Sequence, residues 1–467
     1  MRRRTARLGA ALLVMTVTAG TAAATTAAAA GPSSTQVTGP LPDGGSWIAD
    51  IPAQWNGTLL LYSHGFGSLS AQDAPDPATA AALLAHGYAL AGSSYDPGGS
   101  LWALDSAVRD QFATLQAVAA GVLPARPRQV IAFGTSMGGL VSALEAQQGA
   151  GRIDGALTTC GIVAGAINLN NYQLDGEYTI AQLLAPGQQI PLVRFTSEGQ
   201  AIGTAQALTT AAIQAQLTPA GRARLALAMA FLNVPDWAAG QPSPPGSDPD
   251  AQEAGQYQVY FGGSPVLAFL EGARPAVELA AGGNGSWTRG VDFAALLSRS
   301  PYQSEVAALY REAGLSLRTD LAALTRGAGI SADPAALRSL AATSVPTGHL
   351  DVPELDLHTI SDQLVPVQQE NFYAGTVRAA GSGGLLRQAY VARVGHCNFT
   401  PAELVAGVMA IRHRVTTGRW DSVAQPGQLE QTALGLGLGD ATFIDYLPSP
   451  LSGANGQLHA GFIPERR

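Results

Sequence analysis

The chemistry this sequence offers rests on a serine between glycines, an acid after an apolar run, and a late histidine. Gly134-Thr135-Ser136-Met137-Gly138 follows the apolar run 129–133 and precedes a helix-like stretch over 139–148. A sharp turn from strand into helix forces its central residue into a crowded backbone conformation. Small residues two before and two after it relieve the crowding. The hydroxyl of Ser136 then stands at the end of the strand, beside a helix N-terminus that favours developing negative charge. This makes Ser136 a candidate nucleophile. The bland reading of the same five residues is a glycine-rich turn, and the strand before and helix after speak against it.

A serine nucleophile needs a base, and the base needs an acid to orient it. On a strand–turn–helix nucleophile these follow in the order Ser, acid, His. Of the seven histidines, only His396, His413 and His459 come after the best acid candidates. His396 lies in Gly395-His396-Cys397, just past the strand-like run 388–394. His413 stands between Arg412 and Arg414 on a helix-like stretch and reads as solvated, while His459 lies in the tail. Asp362, in Ser361-Asp362-Gln363-Leu364-Val365-Pro366, follows the strand-like run 355–359 and is the acid candidate. Asp356 competes from inside that run, where a buried carboxylate would need its own partner. Glu370 falls on the following helix.

Acyl transfer also needs two backbone N–H groups aimed at the oxyanion. The natural pair is Met137, just after the nucleophile, and Phe66 in His64-Gly65-Phe66-Gly67. Glycines at 65 and 67 allow a tight turn there, although an ordinary strand-end turn has the same look. His64 reads as a structural residue that fastens this loop.

The two cysteines, Cys160 and Cys397, fall at the end of the strand-like run 153–158 and just past His396. Both would lie along one sheet edge, so a disulfide between them is expected in an exported chain; two free buried thiols are the alternative. Without paired histidine ligands they do not suggest zinc. No metal and no organic cofactor is expected. Thr400-Pro401-Ala402-Glu403 has the pattern of a capping box with proline in the first turn, an anchor for the His396 loop.

Elements must bring these residues together. Strand-like runs at 46–52, 58–63, 88–92, 129–133 and 153–158 alternate with helix-like stretches at 77–86, 101–120 and 139–148. Such alternation predicts a mostly parallel sheet flanked by helices. It stops near Cys160, and patterns at 221–232, 304–313 and 317–324 are helical, with a Pro/Gly/Ser/Asp-rich loop at 240–250. It resumes with strands at 355–359 and 388–394 and helices from Val365 and Pro401. The division expected is a signal peptide over 1–30, core over 31–161, a helical cap insertion over 162–350, core again over 351–416 and a C-terminal tail over 417–467.

The expected signal peptide rests on Arg2 to Arg4 and Arg7, the apolar run 8–17, and small residues where cleavage is expected between Ala24 and Ala30. That run is too short to span a bilayer comfortably, so export to a secreted location is expected, with no transmembrane segment in the mature chain. The basic residues are all arginine, and the formal net charge is −8. An acidic chain with no basic cluster has no footprint for nucleic acid.

These motifs resemble the α/β-hydrolase superfamily, in particular its exported bacterial serine esterase-like members. The resemblance is carried by Trp55-Asn56-Gly57, His64-Gly65-Phe66-Gly67, Gly134-Thr135-Ser136-Met137-Gly138-Gly139, Asp362 with Val365-Pro366, and Gly395-His396-Cys397, and it covers about 35–165 and 350–415. It implies an α/β-hydrolase fold with a cap, a Ser136–His396–Asp362 triad and an acyl-enzyme. A small-molecule ester or amide is the expected substrate, with carboxylic-ester hydrolysis leading. Peptidase action on short peptides, acyl transfer, and a non-catalytic binding role on the same scaffold are the alternatives.

Overall fold

The computed structural model describes residues 34–453 except 97, 99, 243–247 and 264. The expected signal peptide, the cleavage region and His459 lie outside the described residues. The chain opens with β1 (Ser34–Pro40), β2 (Ser46–Pro52) and β3 (Thr58–Ser63), then α1 (Pro77–Ala85), β4 (Ala89–Ser93), α2 (Ala107–Gly121), β5 (Gln129–Thr135), α3 (Met137–Gln148) and β6 (Gly155–Thr159). The sheet order is β1-β2-β4-β3-β5-β6, and β4, β3, β5 and β6 are parallel. Every residue of β3 and β6 is buried, as helices on both faces require of a parallel strand.

The order along the sheet reverses at β3. A crevice opens at the strand ends on either side of such a reversal. The loop after β3 and the turn after β5 are therefore neighbours, which sets the oxyanion candidates beside Ser136.

Between β6 and β7 (Glu354–Ser361) runs a helical insertion: α4 (Ala166–Leu184), α5 (Glu198–Ala215), α6 (Pro219–Leu232), α7 (Pro249–Phe261), α8 (Val266–Ala281), α9 (Phe293–Leu297), α10 (Gln303–Glu312), α11 (Leu317–Gly327) and α12 (Pro334–Thr343). It has its own apolar core, with Leu208, Leu225, Met229, Phe231, Phe293 and Leu324 buried in it. Helix α4 is buried along most of its length and packs on α6.

The sheet continues through β7 and β8 (Leu386–Val394), both parallel to β6, with α13 (Gln368–Ala379) between them and α14 (Pro401–Thr417) after. The stretch after Thr417, read from the sequence only as a C-terminal tail, carries regular elements among its described residues. It forms α15 (Pro426–Leu436), which packs on α14, and β9 (Phe443–Ile444), which pairs antiparallel with β8. It then returns to the insertion, where Ser452 exchanges backbone hydrogen bonds with the Asn233 side chain at 2.8 and 2.9 Å. Among the described residues no helix is long and apolar enough to cross a membrane.

Candidate active site

Ser136 sits between β5 and α3 with φ 61° and ψ −121°, a backbone conformation side chains rarely adopt. The two flanking glycines make the turn possible. A Cβ on Gly134 would lie 1.9 Å from the Gly138 carbonyl oxygen, and one on Gly138 would lie 1.9 Å from that of Ser63. The Ser136 N–H is tied to the Thr159 carbonyl at 3.0 Å, so β6 braces the turn.

His396, on the loop after β8, meets both partners. Its Nε2 lies 2.8 Å from Ser136 Oγ, and its Nδ1 donates to Asp362 Oδ2 at 2.7 Å. Asp362, on the loop after β7, is fully buried. Its other oxygen accepts from the N–H groups of Leu364 and Val365 at 2.9 and 2.8 Å. Burial alone would raise its pKa, but His396, then His358 and the Val365 N–H, outweigh burial and hold it below the usual carboxylate range. A carboxylate so fixed keeps Nδ1 protonated and leaves Nε2 as the acceptor facing Ser136.

The competitors fall elsewhere. Asp356 is buried in β7, and burial, then Glu354 and Glu370, push its carboxyl well up into the neutral form. His413 pairs with Asp421 at 2.8 Å on the surface. His64 is buried, with its Nδ1 2.8 Å from the Gly65 carbonyl and its ring 4.1 Å from that of Tyr95.

The loop holding Phe66 flanks the nucleophile: a Cβ on Gly65 would lie 3.4 Å from Ser136 Cβ and 3.8 Å from its Oγ. Met137 opens α3, so its N–H has no partner within the helix. Among the described residues the Phe66 N–H also has no hydrogen-bond partner. Both remain available to an oxyanion.

Cys160 and Cys397 form a disulfide that spans 237 residues of sequence. Cys397 Sγ lies 3.3 Å from His396 Nε2, so the bridge fastens the histidine loop to the end of β6. The same loop is held from its other side by Thr400 and Glu403, whose side chains cap each other's backbone at the start of α14. The two sulfurs and the His396 nitrogen are close enough to hold a metal ion, but bonded sulfurs offer no thiolate.

Residues that the sequence reading did not single out also stand here. His358, buried in β7, has Nδ1 2.8 Å from Glu370 Oε1 and Nε2 2.8 Å from the Val365 carbonyl, with Asp362 at 3.7 Å. Oxygen atoms at both nitrogens favour the protonated ring. Burial by itself would lower its pKa, but Glu370, Asp362 and the carbonyl more than offset that and raise it. The alternation Glu354, Asp356, His358 along an otherwise apolar strand was the available signal.

Beside Ser136 lies a narrow cavity of about 40 Å³, lined by Phe66, Trp102, Ile162, Leu169, Phe269 and Val277 and by the polar Asn170, Gln173 and Arg274. On the His396 side, a more open hollow of about 710 Å³ is bounded by Val266, Gln363, Val394 and Asn398. Phe269 and Leu364 border both spaces. The insertion thus supplies α4 and α8 as walls of the site, as a cap does.

The strand order, the strained serine turn after β5, and the Ser, Asp, His sequence on successive strand ends give the chain an α/β-hydrolase fold. The chain is similar to an o-phthalyl amidase of Xanthobacter agilis, with 29% identity over 434 residues, covering 85% of this chain and 91% of that protein. No family model matches the chain. Solved structures similar to it include an esterase of Pyrococcus furiosus (TM-score 0.39, 10% identity, 82% of this chain and 91% of that one). Feruloyl esterase B of Aspergillus oryzae is another (TM-score 0.39, 13% identity, 82% of this chain and 80% of that one).

Proposed function

We propose that this protein is an exported serine hydrolase that cleaves small carboxylic esters or amides through an acyl-enzyme. The observation that carries the reading is the continuous hydrogen-bonded line from Ser136 Oγ through His396 to Asp362. Ser136 Oγ attacks the acyl carbonyl while His396 Nε2 takes its proton. The N–H groups of Met137 and Phe66 meet the oxyanion. His396 then returns the proton to the departing alcohol or amine, and water enters by the same route to release the acid. Export accords with the basic, apolar N-terminus and with a disulfide, which persists in oxidising compartments.

One observation favours amides beside esters. The amidase of Xanthobacter agilis aligns along most of both chains. A triad of this kind serves either bond, and the hollow next to His396 offers room for an amine or an alcohol.

The test pairs p-nitrophenyl acyl esters and acyl p-nitroanilides with fluorophosphonate labelling, on the wild type and Ser136→Ala. The expected outcome is turnover by the wild type and a loss of about 10⁴-fold or more in the variant. A protein that takes up no probe and turns over neither substrate class is not a serine hydrolase.

A further inference from the structure

The narrow cavity beside Ser136 is apolar over most of its wall, and its polar side chains come from two cap helices. Asn170 and Gln173 stand three residues apart on α4, hence on one face of it. Arg274 is on α8 and only 4% exposed. Burying a guanidinium is costly unless its donors are used. Its Nη2 binds Glu177 Oε2, and its Nε donates to Glu271 Oε2 at 3.3 Å. Among the described residues its Nη1 has no hydrogen-bond partner, and neither has the Asn170 amide. Donors in a largely apolar pocket are therefore left unspent next to the nucleophile.

We propose that Arg274, with Asn170 and Gln173, forms a carboxylate-binding subsite for the acyl half of the substrate. The proposal rests on the serine hydrolase reading and narrows it: the substrates are esters or amides of a compact acyl group that carries a second, ionised carboxyl. The two spaces around Ser136 divide the substrate accordingly. The acyl group enters the narrow slot, where volume is small and donors wait. The leaving group takes the open hollow beside His396, the residue that must hand it a proton. Phe269 and Leu364 form the divide.

The glutamates behind Arg274 do not cancel its charge. Two carboxyls share one guanidinium, and Glu177 Oε1 and Glu271 Oε1 are buried without hydrogen bonds. Burial, then the charge of Glu177, keeps Glu271 protonated, while burial pushes Glu177 up to about 7. The cluster is thus not net negative at or below neutrality, and an arriving carboxylate meets the free edge of a planar guanidinium.

The experiment compares p-nitrophenyl hemiglutarate with p-nitrophenyl valerate, esters of equal chain length that differ in a terminal carboxylate. Spontaneous hydrolysis is subtracted with Ser136→Ala. The wild type is expected to show kcat/KM at least about tenfold greater for hemiglutarate. Asn170→Leu and Arg274→Lys are expected to shrink that ratio threefold or more, Arg274→Lys because a point charge replaces the fork. Equal or better turnover of valerate by the wild type overturns the subsite. So does a ratio that survives both substitutions, because the preference then arises elsewhere. Fluorophosphonate labelling with neither ester turned over also overturns the subsite but leaves the hydrolase reading standing. Absence of labelling removes that reading, and the subsite with it.

Discussion

At Ser136 a strained backbone is held in place by the absence of side chains around it. The positive φ of the serine is sterically costly, by about 1–3 kcal/mol. It persists because the turn is fixed on both sides, by the close approach of Gly138 to Ser63 and by the hydrogen bond to Thr159. Two neighbouring glycines should therefore respond differently. Gly138→Ala places a methyl 1.9 Å from a backbone oxygen, which only a shift of β3 or α3 can relieve. It is expected to lower stability by several kcal/mol, roughly the overpacking range of 1–3 or beyond, and to abolish activity together with it. Gly65→Ala meets nothing nearer than 3.4 Å and needs no positive φ, so it should fold with an unchanged urea midpoint. Its methyl nevertheless crowds Ser136 Oγ and the oxyanion position, and kcat should fall by about 10²-fold. Equal urea midpoints with equal activities for Gly65→Ala and wild type would show that this loop does not border the reacting carbonyl.

At the scale of elements, the histidine loop is held by two devices of different strength. The disulfide closes a loop of 237 residues, and the chain-entropy account gives about 5 kcal/mol for so long a loop, an upper figure. The capping box at Thr400 is a local device. Thr400→Ala should cost about 1 kcal/mol with little change in kcat, since the loop stays bridged. Cys160→Ser with Cys397→Ser should cost roughly 2–5 kcal/mol by urea titration, and kcat should fall as His396 loses its tether. Reduction of the wild type should reproduce that loss. A doubly substituted protein with wild-type kcat would separate the bridge from catalysis.

These elements also show where sequence was informative. The run at 58–63 coincides with β3 because a buried parallel strand leaves a dense apolar block between turns, while the run at 46–52 coincides with β2, an antiparallel strand buried only in part. The order and setting of Ser136, Asp362 and His396 were readable because each follows such a block directly. Helix was expected from 101, yet α2 begins at Ala107. The residues before it are drawn to the insertion instead, with Ser100 bonding the Ala276 carbonyl and Trp102 Nε1 donating to Ser344 at 3.3 Å. Strand β1 carries Gly39 and Pro40 on an exposed edge, and β9 is two residues long, so neither leaves a period. The partners of Arg274 were invisible for another reason. Glu177 lies 97 residues away on α4, a helix buried nearly all round, where no polar stripe marks which residues face each other.

The whole molecule buries an unusual number of acids, and their titration sets how stability depends on pH. Burial is the foremost cause in each case. It raises Asp110 to about 6, Asp73, Glu177 and Glu354 to about 7, and Glu305 to about 9. Glu145, Asp175, Glu271 and Asp356 go well above the carboxylate range. In the unfolded chain these groups lose their protons near pH 4, whereas the folded protein keeps them into the neutral range. The native state therefore binds more protons than the unfolded state from about pH 4.5 upward, and stability falls as pH rises. His358 acts in the same direction, since its raised pKa lends stability that is full below the unfolded value and lost as pH climbs through the folded one. The lowered acids, Asp43, Asp333, Asp362 and Asp421, work with the opposite sign, but only below the ordinary aspartate value of about 4. His64 alone opposes this between about pH 4.5 and 9, because burial lowers its pKa and so adds stability as pH rises; the many raised acids outweigh it, and the net charge of −8 adds repulsion as they ionise. Each proton of difference is worth about 1.4 kcal/mol per pH unit. Urea unfolding at pH 5, 6.5 and 8 should give midpoints that decline across the series, with the greatest stability on the acid side of the usual range. A midpoint that holds level or rises toward pH 8 would mean that water or rearrangement reaches these carboxyls, and that they are ionised in the native protein.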